Sequence, residues 1–421
     1  MRIAIIGTGI AGNVAARKLH REHDITVYEA APYIGGHTHT HDVEVDGHKV
    51  AVDTGFIVFN RRTYPLFDAL LDDLGVASQE SSMSFSVRCE ASGLEYNGTN
   101  LDGLFAQRRN LVRPSFLRMV AEIMRFNREA PRLLHRSGGE RPLGDLLEEG
   151  GYGRAFRDDY LIPMGAAIWS TDPARMLDFP ARFFIRFLHN HGMLTVNDRP
   201  VWRTVVGGSA RYVEALVAPF RDRIHLSSPI EWIRRLPGGV LVMPLGEHPQ
   251  RYDAVFLACH SDEALALLAD PTPAERAVLG AIEYSSNDAV LHTDERLMPR
   301  SQRAWAAWNY HRSAEADARV ALTYNMNILQ RLETPRPLMV TLNRTEDIDP
   351  ARILRRMTYH HPLFTPAAVT AQARHAEINR DRTFYCGAYW RNGFHEDGVW
   401  SALEAVRHFR VRRERPRMRV A

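Results

Sequence analysis

The chain has 421 residues, 45% hydrophobic and 24% charged, which gives room for two or three domains and excludes a disordered, collagen-like or disulfide-stapled protein. Basic residues number 53 against 50 acidic, a net charge of +3 that is too even for a chain-wide nucleic-acid surface, so no nucleic-acid partner is expected. Apolar runs such as residues 254–259 fall far short of the ~18 residues of a membrane span.

Lysine occurs only at Lys18 and Lys49, so nearly every basic residue is arginine, a bias under which one arginine carries little meaning. Cys89, Cys259 and Cys386 lie far apart with no CxxC, and the chain runs straight into Arg2-Ile3-Ala4-Ile5-Ile6 rather than a signal peptide. A reducing cytoplasmic setting is the expectation.

Residues 2–6 predict a buried parallel strand, 11–21 a helix with Ala11, Val14, Ala15 and Leu19 on one face, and 25–28 a second strand. Residues 43–59 alternate around Asp46-Gly47, a hairpin signal. From about 64 to 190 the pattern is mostly helical, with a strand pair around 83–96. Strands return at 224–226, 239–242 and 254–258, then a helix at 261–269, then strands near 304–310, 319–326 and 337–342. A polar, Pro-rich stretch covers 346–366, before a strand at 383–386 and a last helix from about 398. The two textures interleave, which predicts discontinuous domains.

Gly7-Thr8-Gly9-Ile10-Ala11-Gly12 follows the first strand and opens the first helix, and Glu29 ends the second strand at dinucleotide-fold spacing. Gly7 permits the tight turn, Gly9 lets backbone approach a diphosphate, and Gly12 lets helix and strand close up. The helix N-terminus offers free N–H groups to phosphate. A plain glycine-rich turn is the alternative, and it does not account for the flanking strand, helix and acid. Gly35-Gly36-His37-Thr38, and a C-terminal Gly387 with Gly393 to Gly398 opening the last helix, favour FAD over NAD. A nicotinamide dehydrogenase needs no C-terminal segment returning to its cofactor.

With these motifs the whole chain resembles the flavin-containing amine oxidoreductase superfamily of amine oxidases, phytoene desaturases and protoporphyrinogen oxidases. The resemblance implies an α/β fold: an FAD-binding, Rossmann-like, doubly wound domain with a discontinuous α+β substrate domain. FAD would take residues 1–75, 200–290 and 376–421, and substrate 76–199 and 291–375. Gly7, Gly9, Ile10, Ala11, Gly12 and Glu29 would hold the ADP part, with Gly35, Gly36, His37 and Thr38 over the diphosphate. Asp53-Thr54-Gly55 with Phe56 would lead to the flavin, and Ile230 of Ser228-Pro229-Ile230 would meet adenine through its backbone. Gly207-Gly208-Ser209 stands at the family's middle Gly-Gly, and Gly387, Glu396, Asp397, Gly398 and Val399 would reach the flavin end. Members usually carry arginines around the first Gly-Gly pair, where Tyr33 and His37 stand, and an acid where Ala388 stands. The phosphate contacts must therefore be rebuilt.

A narrower resemblance rests on Leu161 to Ser170, Tyr324-Asn325-Met326-Asn327, Val340 to Asn343 and Cys386-Gly387-Ala388. It is to bacterial flavoproteins associated with cyclopropane-fatty-acid-synthase-like methyltransferases. It implies a desaturase or dehydrogenase of a methylated or unsaturated fatty-acyl chain of a membrane lipid, with a methyltransferase partner. An amine, carotenoid or porphyrinogen oxidase is the alternative, and so is a non-catalytic flavoprotein that presents lipid. Amine oxidases of the superfamily hold a water at the flavin with a substrate-domain lysine, and this chain has none there.

His395 as a general base, with Tyr324 and Asn325, are the catalytic candidates, each open to a plainer role ordering a loop or filling a sheet. Trp308, Tyr389 and Trp390 are tunnel wall or core. His37, His39 and His41 alternate as metal ligands would, but no Cys, Asp or Glu completes a set, and no metal is expected. Residues 107–136 join Phe116, Leu117, Met119, Val120, Ile123, Met124 and Phe126 to eight arginines, and 410–421 adds a second basic run. Each segment is a peripheral contact with the inner face of a membrane or a solvated charge run.

Overall fold

Ile3 and Ile5 of the first strand are buried in one hydrophobic cluster, and Ala4 and Ile6 in another. A strand apolar on both sides needs cover on both sides, and that is the doubly wound arrangement. The computed structural model describes residues 1–135, 141–195, 197–314 and 319–414, the last three as backbone only. Its five-stranded sheet runs Ile224–His225, Asp24–Tyr28, Arg2–Ile6, Ala254–Leu257, Thr383–Tyr385, and every pairing is parallel. The helices Ile10–Leu19 and His395–Glu414 pack together on one face.

A second sheet of seven strands runs Ile353–Pro362, Tyr284–His292, Met339–Leu342, Leu322–Asn325, Trp308–Arg312, Phe85–Cys89, Leu94–Asn97. Its pairs are antiparallel except Trp308–Arg312 with Phe85–Cys89. Helices Pro114–Leu133, Leu143–Glu149, Ile162–Trp169 and Ala181–Asn190 share its core, the largest in the molecule. The hairpin Thr40–Val45 with His48–Asp53 turns at Asp46 and Gly47, whose φ values of 48° and 82° are those of a left-handed two-residue turn.

Three differences from the sequence expectations lie in the large sheet. Residues 353–362, expected as a polar Pro-rich stretch, form the edge strand of the large sheet; only Tyr359 is buried, so the apolar alternation is missing. The strand Tyr284–His292 was not anticipated, and the expected boundary at residue 290 falls inside it. The expected strand 319–326 stops at Asn325, because its side chain accepts from the Ile328 amide and starts the helix Met326–Gln330.

Candidate cofactor and active site

A cleft of about 740 Å³ opens where the parallel strands end and the large sheet begins. Gly7, Glu29, Ala258 and Gly387, each just past a parallel strand, line it, which is where open α/β sheets bind ligands. Three glycines shape the near wall. A Cβ on Gly12 would lie 2.0 Å from the Gly7 carbonyl oxygen, so that position is needed for helix and strand to meet. A Cβ on Gly36 would lie 3.2 Å from Gly9 Cα, so the second glycine segment rests on the first. A Cβ on Gly9 would meet nothing within 4 Å, and the helix N-terminus there faces the cleft. That cradle, which a side chain would fill, fits a dinucleotide diphosphate.

Glu29 Oε2 accepts from the Thr8 amide at 2.8 Å and the Thr8 hydroxyl at 2.5 Å, and Oε1 from the Ala31 amide at 2.9 Å. A carboxylate accepts about four such bonds, so it keeps capacity for a ribose diol. Ile230 lines the same end with Ser228 and Pro229. Gly7, Gly9, Ile10, Ala11, Gly35, Gly36, His37, Gly55, Phe56 and Gly387 complete the group of sequence candidates on the wall, with Tyr324 and His395.

The other candidates sit behind it. Thr38 Oγ1 is buried between the Tyr212 hydroxyl at 2.5 Å and His395 Nε2 at 2.9 Å. Asn325 caps its own helix and is not on the wall. Glu396, expected at the cofactor, accepts instead from the Leu66 and Phe67 amides at 3.0 Å, capping the helix Pro65–Leu74. Asp397 accepts from the Asn392 and Phe394 amides, and burial pushes its carboxyl up to about 7. A Cβ on Gly398 would come within 2.6 Å of Ile10 Cγ2, and Val399 is core, so both serve helix packing. These acids answer the free N–H groups of the protein itself.

His395 also departs from the expectation of a base near its ordinary pKa. Its ring stacks on Phe56 at 3.5 Å and Nε2 meets Thr38 and the Tyr212 hydroxyl, both at 2.9 Å. Burial drops its pKa to about 3, so it is a neutral hydrogen-bonding group at working pH. Tyr324 is set edge-on to Trp308 at 5.3 Å, and burial pushes its phenol up, so it stays protonated.

Beyond these lies an apolar chamber walled by Met83, Ile168, Phe187, Trp202, Trp308 and Phe364. Tyr389 lines the cleft too, whereas Trp390 is core. Sequence reading missed His260. It follows Ala258-Cys259 at the end of a parallel strand and begins the next helix, the same position that made Gly7 to Gly9 a site, and that topological signal was available. The His39 and His41 rings lie 4.0 Å apart, tilted to each other, and among the described residues no three ligands gather as a metal site.

A glycine-cradled dinucleotide cleft at the ends of a parallel sheet, continued by an apolar chamber under a second sheet, is the plan of a flavoprotein oxidoreductase. The chain belongs to the flavin-containing amine oxidoreductase family, whose model matches residues 10–345, and its cofactor is FAD. Its fold is that of cyclohexylamine oxidase from Brevibacterium oxydans IH-35A, at 15% identity and TM-score 0.71 over 98% of this chain and 99% of that one. A putative protoporphyrinogen oxidase from Exiguobacterium sp. 255-15 matches at 16% identity and TM-score 0.69 over 98% and 99%. A CLA-producing fatty acid isomerase from P. acnes matches at 17% identity and TM-score 0.68 over 97% and 98%. No curated protein matches the sequence.

Proposed function

We propose that this oxidoreductase desaturates or dehydrogenates an unsaturated or methylated fatty-acyl chain. The observation that carries the reading is the chamber: its wall is aromatic and aliphatic, and the carboxylates on the cleft wall, Glu29 and Glu263, both belong to the nucleotide end. An ammonium group entering there would lose water without gaining an anion. An acyl chain loses nothing. Bound flavin takes hydride from an activated C–H, and the chain's own part is to orient that carbon and keep water out. The Tyr324 phenol is the polar group placed to orient an acyl substrate. Lys18 lies on the first helix and Lys49 on the hairpin, so neither reaches the chamber. The same fold carries a fatty acid isomerase, which makes the architecture compatible with an acyl substrate. A lipid-methylating enzyme is the partner that this substrate suggests.

Anaerobic mixing of the holoenzyme with unsaturated phospholipid or its fatty acids is expected to bleach the flavin, while common amines leave it oxidised. Reduction by amines alone would replace this reading with the amine oxidase alternative. A flavin that no lipid reduces would favour the lipid-presenting one.

Lipid must be reached, and among the described residues no helix is long and apolar enough to cross a membrane. We propose surface contact through the segment before and along Pro114–Leu133. Leu101 is 74% exposed and Val112 81%, with Leu111, Leu117 and Met124 also open. The arginines are a weaker support than the sequence suggests, because Arg108, Arg118 and Arg128 pair with Asp102, Glu122 and Glu129. Arg410 is bound to Glu22 and the Lys18 carbonyl, Arg412 and Arg413 are described as backbone only, and the remaining C-terminal arginines and Arg136 lie outside the described residues. Sedimentation with anionic vesicles is expected for the wild type and to fall in a Leu111→Asp, Val112→Asp variant. Equal sedimentation of the two would sink the contact.

A further inference from the structure

The cleft that takes the doubly charged diphosphate of FAD has no lysine or arginine on its wall among the described residues. Its basic side chains are histidines, and four of them gather. The His37 ring lies 5.5 Å from His361 and 5.9 Å from His260, and His260 lies 6.2 Å from His360. His37 directly follows Gly36, which rests on Gly9, so it stands at the cradle where the diphosphate is held. We propose that the His37 imidazolium, backed by His260, His360 and His361, is the counter-charge of the FAD diphosphate, so that FAD binding takes up a proton and weakens as pH rises.

His37 Nε2 donates to the His360 carbonyl at 3.1 Å, which fixes the neutral tautomer with a bare Nδ1, and Nδ1 is where the proton enters. Without an anion beside it His37 is held well below the ordinary histidine range, by burial first and then by His361, His260 and His395. A diphosphate changes that balance, since an adjacent negative charge favours the imidazolium. The remaining charged neighbours are distributed unevenly. Asp262 and Glu263 act on His260, whose Nδ1 is 3.9 Å from Glu263 Oε2. Tyr359 lies 5.2 Å from His37, and Glu29 with Tyr33 stands on the ribose side. Asn287 donates to His361 Nδ1 at 3.1 Å, so that nitrogen already accepts a hydrogen bond, and His37 is the histidine of the cluster that directly follows the Gly36–Gly9 contact.

The sign follows from the two states. The pKa is low in the free site and raised in the loaded one, so between those values each pH unit costs up to tenfold in affinity per proton. The test is the FAD Kd, read by flavin fluorescence on serial dilution of the holoenzyme, between about pH 6 and 9. It is expected to rise by close to tenfold per pH unit over part of that range. His37→Gln should bind weakly and without the slope. His37→Arg, always charged, should bind at high pH about as tightly as the wild type does at low pH. A flat wild-type Kd overturns the proposal, and so does a slope that survives in His37→Gln. Protein that held no flavin at any pH would refute the cofactor reading instead, so the two failures are distinguishable.

Discussion

Gly9→Val is expected to strip FAD from the protein while leaving the chain folded. The added side chain meets no protein atom within 4 Å at its Cβ, so it costs the free protein almost nothing and occupies the space over the helix N-terminus. A diphosphate can no longer approach the backbone there, and a loss of at least about 100-fold in affinity, ~2.7 kcal/mol, is expected. Gly12→Ala is the contrasting case. Its Cβ would sit 2.0 Å from the Gly7 carbonyl oxygen and 3.2 Å from Ala258 Cβ, so helix and strand must separate, and fold and flavin should be lost together. Flavin absorbance of the purified variants, with circular dichroism and melting of their apoproteins, reads both. A yellow Gly9→Val protein would mean that the diphosphate lies elsewhere.

Asp53→Ala should be among the most destabilising substitutions away from the cofactor. Its buried carboxylate accepts from the Ser209 amide at 2.9 Å and hydroxyl at 3.0 Å, from Thr40 Oγ1 at 2.5 Å and from Gln330 Nε2 at 3.1 Å. Those partners come from the hairpin, the Gly207-Gly208 turn and the helix Met326–Gln330, so one side chain ties three segments together. Burial pushes the carboxyl up to about 6, and at neutral pH it is still ionised, with every donor facing a charge. Removing it leaves those donors buried and unanswered, a cost of about 3–5 kcal/mol. Asp53→Asn keeps the volume but turns an N–H toward other donors, and about 1–3 kcal/mol is expected. Denaturation midpoints of the two holoproteins measure this. An Asp53→Ala variant within about 0.5 kcal/mol of wild type would show that the node is dispensable.

The near half of the cleft was legible because its constraints are local. Gly7 to Gly12 and Glu29 sit at the ends of two strands joined by one helix, so spacing along the chain reports spacing in the fold. Glu396 and Asp397 show the limit. Two acids opening a helix beside a cofactor have the same sequence whether they face the ligand or the backbone amides of Leu66 and Phe394. The edge strand Ile353–Pro362 was hidden for a different reason. Arg355 and Arg356 are both exposed although they point to opposite faces, and only Tyr359 is buried, so nothing in its pattern marks it as a strand until Tyr284–His292 pairs with it. The histidine cluster combines residues from 37, 260, 360 and 361, and only the tertiary fold brings them together.

The parallel sheet has a consequence for how the protein comes into being. Its central strand is made from residues 2–6, but the neighbouring strands are 254–257 and, at the edge, 383–385, and the helix that covers residues 10–19 begins at 395. The ribosome therefore releases the nucleotide cradle long before the segments that wall it, and closing such distant contacts is slow. Until the final helix emerges, the first helix lacks the partner whose Gly398 lies against Ile10. FAD is therefore expected to load only once that helix has docked, and a chain cut before it is expected to need chaperones rather than to hold flavin.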